Sequence, residues 1–374
     1  MTETAQEYSV NIAIAKEWLR FNMVNFWKGI SKAACFIYGP PGVGKTAIVQ
    51  QLADEFNAKL VIAPLHLIID PSDLRGFAVP IFEKKQVEWF KPSEDLFPTN
   101  NVERGILFLD ELNCATKEVL NAALQLVYTR TIGPHKLGEN YMIVAAGNSK
   151  KTFAFVHQLS EPLRSRFRII HVHPDFDTWV KNFAVPNNIA SEIISFLKLY
   201  PSYFANYDYA KLNPEMPFPC PRAWEMLSRD LGHAMKLNPE VRLAVFSSTV
   251  GISAGTQFEA FIQNDALKMM LDLNAVYTKG IVPNIANSRQ AVIAVSAIAQ
   301  NAPLNDIKAL KNAVDVMHKI AWTKWDEKTT IPPKELMVFG LSILVYRKLP
   351  MEKFWHIIDN KKLKDVLELL DIKT

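Results

Sequence analysis

Residues 33–46 read AACFIYGPPGVGKT, an apolar run that leads into a turn rich in glycine and proline. Downstream, residues 46–56 keep the apolar side chains Ile48, Val49, Leu52 and Phe56 at helical spacing. The predicted order is therefore strand, glycine-rich turn and helix. Residues 39–46 also fit the pattern G-x-x-x-x-G-K-[ST], which describes a loop that cradles phosphate groups.

The loop at residues 39–46 has the residue types that phosphate binding requires. Glycines let backbone N–H groups turn toward a β-phosphate, and the helix N-terminus adds its dipole. Lys45 is expected to bridge the β- and γ-phosphate oxygens, and Thr46 to ligate Mg²⁺. With glycine at 14 of 374 positions, we expect a chance match in roughly one of a few hundred such chains. The predicted nucleotide-binding residues are Gly39, Pro40, Pro41, Gly42, Val43, Gly44, Lys45, Thr46 and Ala47.

Four further apolar runs follow the loop and indicate buried strands. Unbroken apolar runs suit strands that are covered on both faces. Because helix-length segments separate them, we predict an α/β fold, a doubly wound αβα parallel sheet of the P-loop NTPase type, over about the first 175 residues. The runs are residues 59–65, 105–109, 141–146 and 168–172, with inserted β-hairpins predicted at 82–90 and around 133–136.

The strand signal ends near residue 175, where helical spacing takes over and prolines mark the loops. We therefore predict an α/β nucleotide-binding domain over residues 1–175, an all-helical lid over 176–270 and a C-terminal helical region over 271–374. The predicted helices are a lead-in helix over about 7–27 and later helices at 179–183, 190–199, 223–236, 239–250, 288–299, 303–322, 333–347 and 351–370.

The run ILFL at residues 106–109 ends in two acids, Asp110 and Glu111. So apolar a strand brings its terminal carboxylates to the carboxyl edge of the sheet, where ligands of open α/β sheets bind. Asp110 is then expected to hold Mg²⁺ through water, and Glu111 to polarise an attacking water as general base. The alternative is a solvated strand end or a helix N-cap.

Two other strand boundaries carry candidate residues. Asn148 ends the run at 141–146 and could orient water against a γ-phosphate; the alternative is an ordinary turn asparagine. Arg164 and Arg166 precede the last strand, and Arg166 is well placed at a subunit edge to reach a neighbour's γ-phosphate. A surface ion pair is the alternative for either arginine, and the choice between the two stays open.

The composition excludes several classes of protein. With 374 residues, of which 49% are hydrophobic and 21% charged, the chain is not a disordered or fibrous protein and fits two or three domains. A net charge of +4 does not predict a nucleic-acid or membrane partner. The 3 cysteines indicate neither a disulfide framework nor a zinc site. No apolar stretch approaches the ~20 residues of a membrane span, so we expect a cytoplasmic protein.

The ordered motifs resemble those of the AAA+ ATPases, and they are most similar to the MoxR-type and dynein-related branch. The resemblance covers about residues 30–265 and rests on the loop at 39–46, the Leu-Asp-Glu strand end, Asn148, the Ser-Arg-Phe at 165–167 and the Pro-Arg at 221–222. It implies that Asn148 is sensor 1, that Arg166 is an arginine finger acting in trans, and that Arg222 is sensor 2. For Arg222 the alternative is an arginine that simply lies at a helix N-terminus.

The resemblance also implies an activity, cofactors and partners. Proteins of this branch hydrolyse ATP with Mg²⁺ as homo-oligomeric rings, here expected to be hexameric, and they remodel or activate a protein partner. That partner is often a protein with a von Willebrand A domain. Because this chain has no DxSxS run, such a domain would belong to a separate polypeptide. In this branch a hairpin lies near the central pore, so the hairpin at 82–90 would contact the substrate, unless its aromatic residues only pack on a neighbouring helix. Which of the two predicted hairpins faces the pore stays open.

Two other functions stay open. A nucleic-acid motor or loader uses the same kind of ATP site, although the near-neutral charge and the lack of a basic stripe argue against it. The other open function is a switch that binds ATP to assemble a scaffold and hydrolyses it slowly.

Overall fold

The structure is a computed structural model that describes residues 8–148, 157–266, 271–323 and 331–357. The chain divides into two units, Met1–Asp175 and Phe176–Thr374. In the described part of the chain, no helix is long and apolar enough to cross a membrane.

The first unit is built on a sheet of six parallel strands, which confirms the predicted parallel sheet. The strand order β1-β10-β2-β9-β6-β3 places the strand before the glycine-rich loop near the middle. The strands of the unit, including two short hairpins, are β1 Ser9–Val10, β2 Ala34–Tyr38, β3 Lys59–Pro64, β4 Phe77–Ile81, β5 Gln86–Phe90, β6 Gly105–Asp110, β7 Thr131–Ile132, β8 His135–Lys136, β9 Tyr141–Gly147 and β10 Phe167–Val172.

Helices cover both faces of this sheet because successive strand side chains point to opposite sides. In β6, Ile106 and Phe108 enter the core beneath the first two helices, whereas Leu107 and Leu109 enter the core on the other face. The helices of the unit are α1 Ile12–Trp27, α2 Lys45–Glu55, α3 Ser72–Arg75, α4 Lys117–Thr129 and α5 Glu161–Arg164.

The N-terminal segment differs from the prediction in one respect. Residues Ser9–Val10 join the edge of the sheet beside β10 before the lead-in helix begins. The helix starts at Ile12 because the Asn11 side chain accepts hydrogen bonds from the N–H groups of Ala13 and Ile14.

The hairpin predicted at 82–90 also differs in its bounds. Its first strand is Phe77–Ile81, and residues Phe82–Lys84 form the turn that leads into β5. Lys85 closes the turn at φ 48°. The predicted hairpin therefore began after its true first strand. The turn starts at the aromatic residue Phe82, whereas the prediction placed it at the charged residues that follow.

Every regular element that the structure describes in the second unit is a helix, and these helices share one hydrophobic core. The position predicted as a boundary, near residue 270, lies within this unit; the division into lid and C-terminal region stays a prediction. The predicted helix at 351–370 is described only to Ile357.

The helices of the second unit are α6 Phe176–Trp179, α7 Ser191–Leu199, α8 Tyr207–Leu212, α9 Pro221–Ala234, α10 Pro239–Val250, α11 Ile252–Phe261, α12 Leu273–Lys279, α13 Ser288–Asn301, α14 Ile307–Ala321, α15 Pro333–Tyr346 and α16 Met351–Ile357.

Candidate active site

The glycine-rich loop brings a helix N-terminus to the carboxyl edge of the sheet. The loop connects Tyr38, the last residue of β2, to Lys45, the first residue of α2. Gly42 and Gly44 have φ angles of 75° and 100°, in the left-handed region that favours glycine. Because the first turn of a helix carries N–H groups without intrahelical acceptors, this geometry suits an anion such as a phosphate.

Lys45 is the charged residue of the loop and is buried, with 8% of its surface exposed. Its Nζ donates hydrogen bonds to the carbonyl oxygens of Gly39 and Pro40, at 2.7 and 3.0 Å. It also donates to Oδ1 of Asn148 at 3.0 Å. The structure therefore brings together two residues that the sequence separates by about a hundred positions and that were predicted to share one site.

Thr46 and Asp110 meet on the adjacent side of the loop. The Thr46 hydroxyl donates to Oδ2 of Asp110 at 3.1 Å. The other carboxylate oxygen of Asp110 accepts from the backbone N–H of Glu111 at 3.0 Å. Both predicted magnesium ligands thus lie within hydrogen-bonding distance of each other, where β6 ends beside α2.

Glu111 follows directly and takes an unusual backbone conformation. Its φ is 51°, which is uncommon for a residue that carries a side chain. Its Oε2 lies 3.4 Å from Nδ1 of His66. His66 lies in the turn after β3, whose register places Pro64 beside Asp110. His66 was not predicted from the sequence, although its position two residues after the end of a strand could have indicated it.

Asn113 is a second site residue that was not predicted from the sequence. It is 1% exposed and lies in the 3-10 turn Leu112–Cys114. Its side chain makes two hydrogen bonds to the backbone of Asn148, accepting at Oδ1 from the N–H and donating from Nδ2 to the carbonyl oxygen. The Asn148 carboxamide also donates a long contact of 3.9 Å to Sγ of Cys114, whose pKa is raised by burial and further by Glu111.

The two arginines before β10 make different contacts. In the described part of the chain, Nη1 of Arg166 donates to the Pro162 carbonyl oxygen at 2.8 Å, and the guanidinium lies 4.1 Å from the centre of the Tyr128 ring. Arg164 is exposed, and its charge acts on Tyr38. Burial raises the pKa of Tyr38 to about 12, and the charge of Arg164 opposes that rise. Which arginine is the finger stays a prediction.

Arg222 belongs to the second unit. It is the second residue of α9, directly after Pro221, and its side chain is exposed. Its contact with a nucleotide, and therefore its role as sensor 2, stays a prediction.

The residues at the edge of the sheet suit ATP and Mg²⁺. Lys45 and the N-terminus of α2 offer positive charge and N–H donors to phosphates. Thr46 and Asp110 offer hard oxygen ligands, which Mg²⁺ prefers. In residues 8–148, 157–266, 271–323 and 331–357, no group of three or more His, Cys, Asp or Glu side chains could hold a metal. Mg²⁺ takes few protein ligands at sites of this kind and completes its shell with phosphate and water.

Part of the chain is similar to known proteins. The family model that matches is described as an AAA domain of the dynein-related subfamily, and it covers residues 34–167. The Holliday junction branch migration complex subunit RuvB of Chloroflexus aurantiacus is 30% identical over 142 residues, which are 36% of this chain and 34% of that protein. An ATP-dependent zinc metalloprotease FtsH homolog of Oltmannsiellopsis viridis is 34% identical over 92 residues, 25% of this chain and 4% of that protein.

The chain spans about a third or less of the length of these curated relatives. Among solved structures, RuvB of Thermotoga maritima is 17% identical with a TM-score of 0.38, over 72% of this chain and 76% of that one. A putative ATPase from Cytophaga hutchinsonii is 19% identical with a TM-score of 0.31, over 63% and 81%. The matched residues 34–167 run from the first residue of β2 to the first of β10 and include the loop, Asp110, Glu111 and Asn148. Residues 34–167 are therefore similar to an AAA domain of the dynein-related subfamily.

Proposed function

We propose that this protein hydrolyses ATP in an oligomeric ring of the MoxR type and uses the resulting motion to remodel or activate a protein partner. The observation that carries the proposal is the pair of contacts at the loop, Lys45 with Asn148 and Thr46 with Asp110. They join three separate segments of the AAA domain around the helix N-terminus. Hydrolysis needs a phosphate-binding cation, a metal ligand and a water-orienting amide at one place.

Each residue has a distinct role in the proposed reaction. Residues 39–47 bind the phosphates, and Lys45 neutralises charge that develops on the transferred phosphoryl group. Thr46 and Asp110 would hold Mg²⁺, which would supply further neutralising charge when bound. Glu111 accepts a proton from the attacking water, and Asn148 orients that water.

The AAA domain alone is not expected to complete the site. We propose that Arg166 reaches the γ-phosphate of a neighbouring subunit in a homo-oligomeric ring, hexameric by family resemblance, and that Arg222 contacts the nucleotide of its own subunit. Support for Arg166 comes from its partly exposed guanidinium, which is held at the surface against Tyr128.

The β4–β5 hairpin supports a protein partner. Its residues Phe77 and Phe90 are 61% and 62% exposed, and Trp89 is 40% exposed. A two-stranded ribbon with uncovered aromatic side chains is marginal in water alone, so contact with a partner would bury this surface. We propose that the partner is a protein, with a separate von Willebrand A domain protein as the first candidate.

The activity is tested by measuring phosphate release from Mg-ATP. Wild-type protein should hydrolyse ATP, Lys45→Ala should lose ATP binding, and Glu111→Gln should bind ATP but turn over at least about a hundredfold more slowly. Lys117→Ala and Glu118→Gln, exposed residues of the first turn of α4, are matched controls and should hydrolyse at the wild-type rate. Rapid turnover by Glu111→Gln would remove Glu111 as the base.

The trans role of Arg166 is tested by mixing two inactive variants. Lys45→Ala subunits retain Arg166, and Arg166→Ala subunits retain the phosphate loop, so mixed rings should regain ATPase activity. The same mixture with Arg164→Ala in place of Arg166→Ala distinguishes the two arginines. If Arg166→Ala rings hydrolyse ATP at the wild-type rate, the assignment is wrong.

The partner is tested with Glu111→Gln, which should hold the ATP-bound state. This variant should retain a purified von Willebrand A domain protein only with ATP, and Trp89→Ser should weaken retention. Phe21→Ser, a change of an exposed aromatic residue on α1, is the control. Equal retention by the Trp89 and Phe21 variants would exclude the hairpin as the contact.

A second candidate function is a nucleic-acid motor, and the 30% identity to RuvB over 142 residues favours it. The net charge of +4 argues against it. The ATPase rate with and without DNA, at two salt concentrations, separates the two functions. Strong stimulation that falls with salt would replace the protein-remodelling proposal.

A further inference from the structure

Asn113 lies where two strands of the site stop pairing. The ladder between β6 and β9 ends at Leu109 and Ala145, so beyond this point the pairing of these two strands no longer joins their segments. Beyond this point the Asn113 side chain joins the two segments. Its Oδ1 accepts from the Asn148 N–H at 3.0 Å, and its Nδ2 donates to the Asn148 carbonyl oxygen at 2.7 Å.

This reciprocal pair fixes the peptide groups on both sides of the Asn148 Cα. Because the backbone N–H and C=O of Asn148 are both hydrogen-bonded, the position of its Cα is fixed. This fixed position directs the Asn148 side chain toward Nζ of Lys45. Asn113 is itself tied to the general-base candidate, because the turn that contains it closes with a hydrogen bond from the Cys114 N–H to the Glu111 carbonyl oxygen, at 2.9 Å.

Asn113 has no other evident task at the site. It is fully buried, its side chain faces Gly147 and Asn148, and its own carbonyl oxygen accepts from the His157 N–H at 2.8 Å. A buried amide that satisfies both of its polar ends against one peptide is well suited to setting position.

We propose that Asn113 is a positioning residue for ATP hydrolysis. It holds Asn148 in register with Glu111, so that the amide and the carboxylate act on the same water. This inference rests on the proposed ATPase function.

The decisive variant is Asn113→Asp. An ionised carboxylate at this position only accepts hydrogen bonds, so it opposes the Asn148 carbonyl oxygen, whereas a protonated carboxyl group offers one donor and one acceptor as asparagine does. Burial raises the pKa of such a carboxyl group. Relative to wild type at each pH, kcat should fall roughly five- to a hundredfold at pH 8.5 and recover as the pH is lowered toward 6. The Kd for a non-hydrolysable ATP analogue should stay within about twofold.

Two further measurements separate positioning from general stability. In an Asn148→Ala background, Asn113→Asp should cause no additional loss of kcat, because it acts through Asn148. Asn22→Asp changes another buried asparagine of the same unit, one whose Oδ1 accepts from Arg168, and should leave kcat unchanged. If Asn113→Asp does not fold, Asn113→Ser replaces it, and a lowered kcat at unchanged Kd is again expected.

An equal loss of kcat at every pH, or an additional loss in the Asn148→Ala background, would overturn the proposal. So would an unchanged kcat of Asn113→Ser. Failure of the ATPase function is recognised separately, because wild-type protein would then be inactive. The contact itself is still testable in that case: the melting temperature of Asn113→Asp relative to wild type should fall as pH rises, since the folded state binds the proton more tightly.

Discussion

Residues of the site are held mainly by main-chain groups. Lys45 donates to two carbonyl oxygens of its own loop, and Asn113 bonds to both sides of Asn148. Main-chain groups move less than side chains, so they fix the direction of a functional group with little loss of rotamer freedom on binding. At this scale a single added atom has a measurable effect.

Gly147 gives such a test. A Cβ at this position would lie 2.4 Å from Oδ1 of Asn113 and 2.8 Å from the ring of Phe36. Gly147→Ala should therefore lower the free energy of unfolding by about 1–3 kcal/mol, as overpacking does. Gly232→Ala, in the last turn of α9, is the matched control, because a Cβ added at this position would have no neighbouring atom within 4 Å. It should raise stability by up to about 1 kcal/mol.

Both variants are measured by chemical denaturation followed by circular dichroism. Equal stability of the two alanine variants would show that the strand end relaxes and that Gly147 is not required for close packing.

Tyr128 gives a second test at the scale of one residue. Its ring supports the Arg166 guanidinium at 4.1 Å. If Arg166 is the finger, Tyr128→Ala should lower kcat roughly two- to fivefold, since an exposed cation–π contact contributes about 0.5–1 kcal/mol. Tyr128→Phe keeps the ring and should retain the wild-type rate. Steady-state ATPase assays at saturating protein concentration decide this, and a Phe variant as slow as the Ala variant would assign the effect to the hydroxyl.

Elements of the second unit are joined by a buried ion pair. Arg242 of α10 and Glu259 of α11 form a bidentate pair with N–O distances of 2.7 and 2.6 Å, and both are almost fully buried. Gln263 adds a hydrogen bond to the same carboxylate. The pair fixes how these two consecutive helices pack, since its two parallel hydrogen bonds allow one orientation.

Removing one partner of this pair should be costly. Arg242→Ala leaves Glu259 charged and buried, and should lower the free energy of unfolding by about 3–5 kcal/mol. Arg229→Ala removes an exposed pair with Glu225 four residues away, and should cost less than about 0.5 kcal/mol. Denaturant titration measures both. A small loss for Arg242→Ala would mean that water reaches Glu259, and the double variant Arg242→Leu with Glu259→Leu should regain most of the stability.

The whole molecule consists of two units with separate cores. Because each unit has its own hydrophobic core, we expect two transitions in calorimetry. ATP at about 100 times its Kd should stabilise the first unit by about 2.7 kcal/mol, because the phosphate loop lies there. If Arg222 contacts the nucleotide, ATP should also raise the transition temperature of the second unit.

Variants assign the two transitions. Arg242→Ala should lower only the transition temperature of the second unit. Lys45→Ala should abolish the effect of ATP on both transition temperatures. Arg222→Ala should remove the ATP effect on the second unit while leaving that on the first. A second transition that never responds to ATP in wild-type protein would exclude Arg222 as sensor 2.

The amino-acid sequence by itself determined the parallel sheet and the segments that carry the site. The loop at 39–46, the strand that ends in Asp110 and Glu111, and the strand before Asn148 are each recognisable locally, because buried strands and phosphate loops need particular residues in a short stretch. Hairpin bounds and the short β1 strand were less predictable. Two residues of edge strand have no periodicity of their own, and β1 exists because β10 offers it a free edge.

Only the tertiary structure decided which distant residues meet. Asn113 bonds to Asn148 35 positions away, and His66 approaches Glu111 across two neighbouring strands. Such contacts depend on strand order and register, which bring together segments whose separation along the chain carries no local signal. The burial of Arg242 was likewise not predictable from the sequence, because α11, which carries Glu259, was not predicted. A charged arginine is placed in a core only when a partner such as Glu259 lies opposite it. The sequence thus determined which chemistry is present, and the packing of the strands and helices determined which side chains act together.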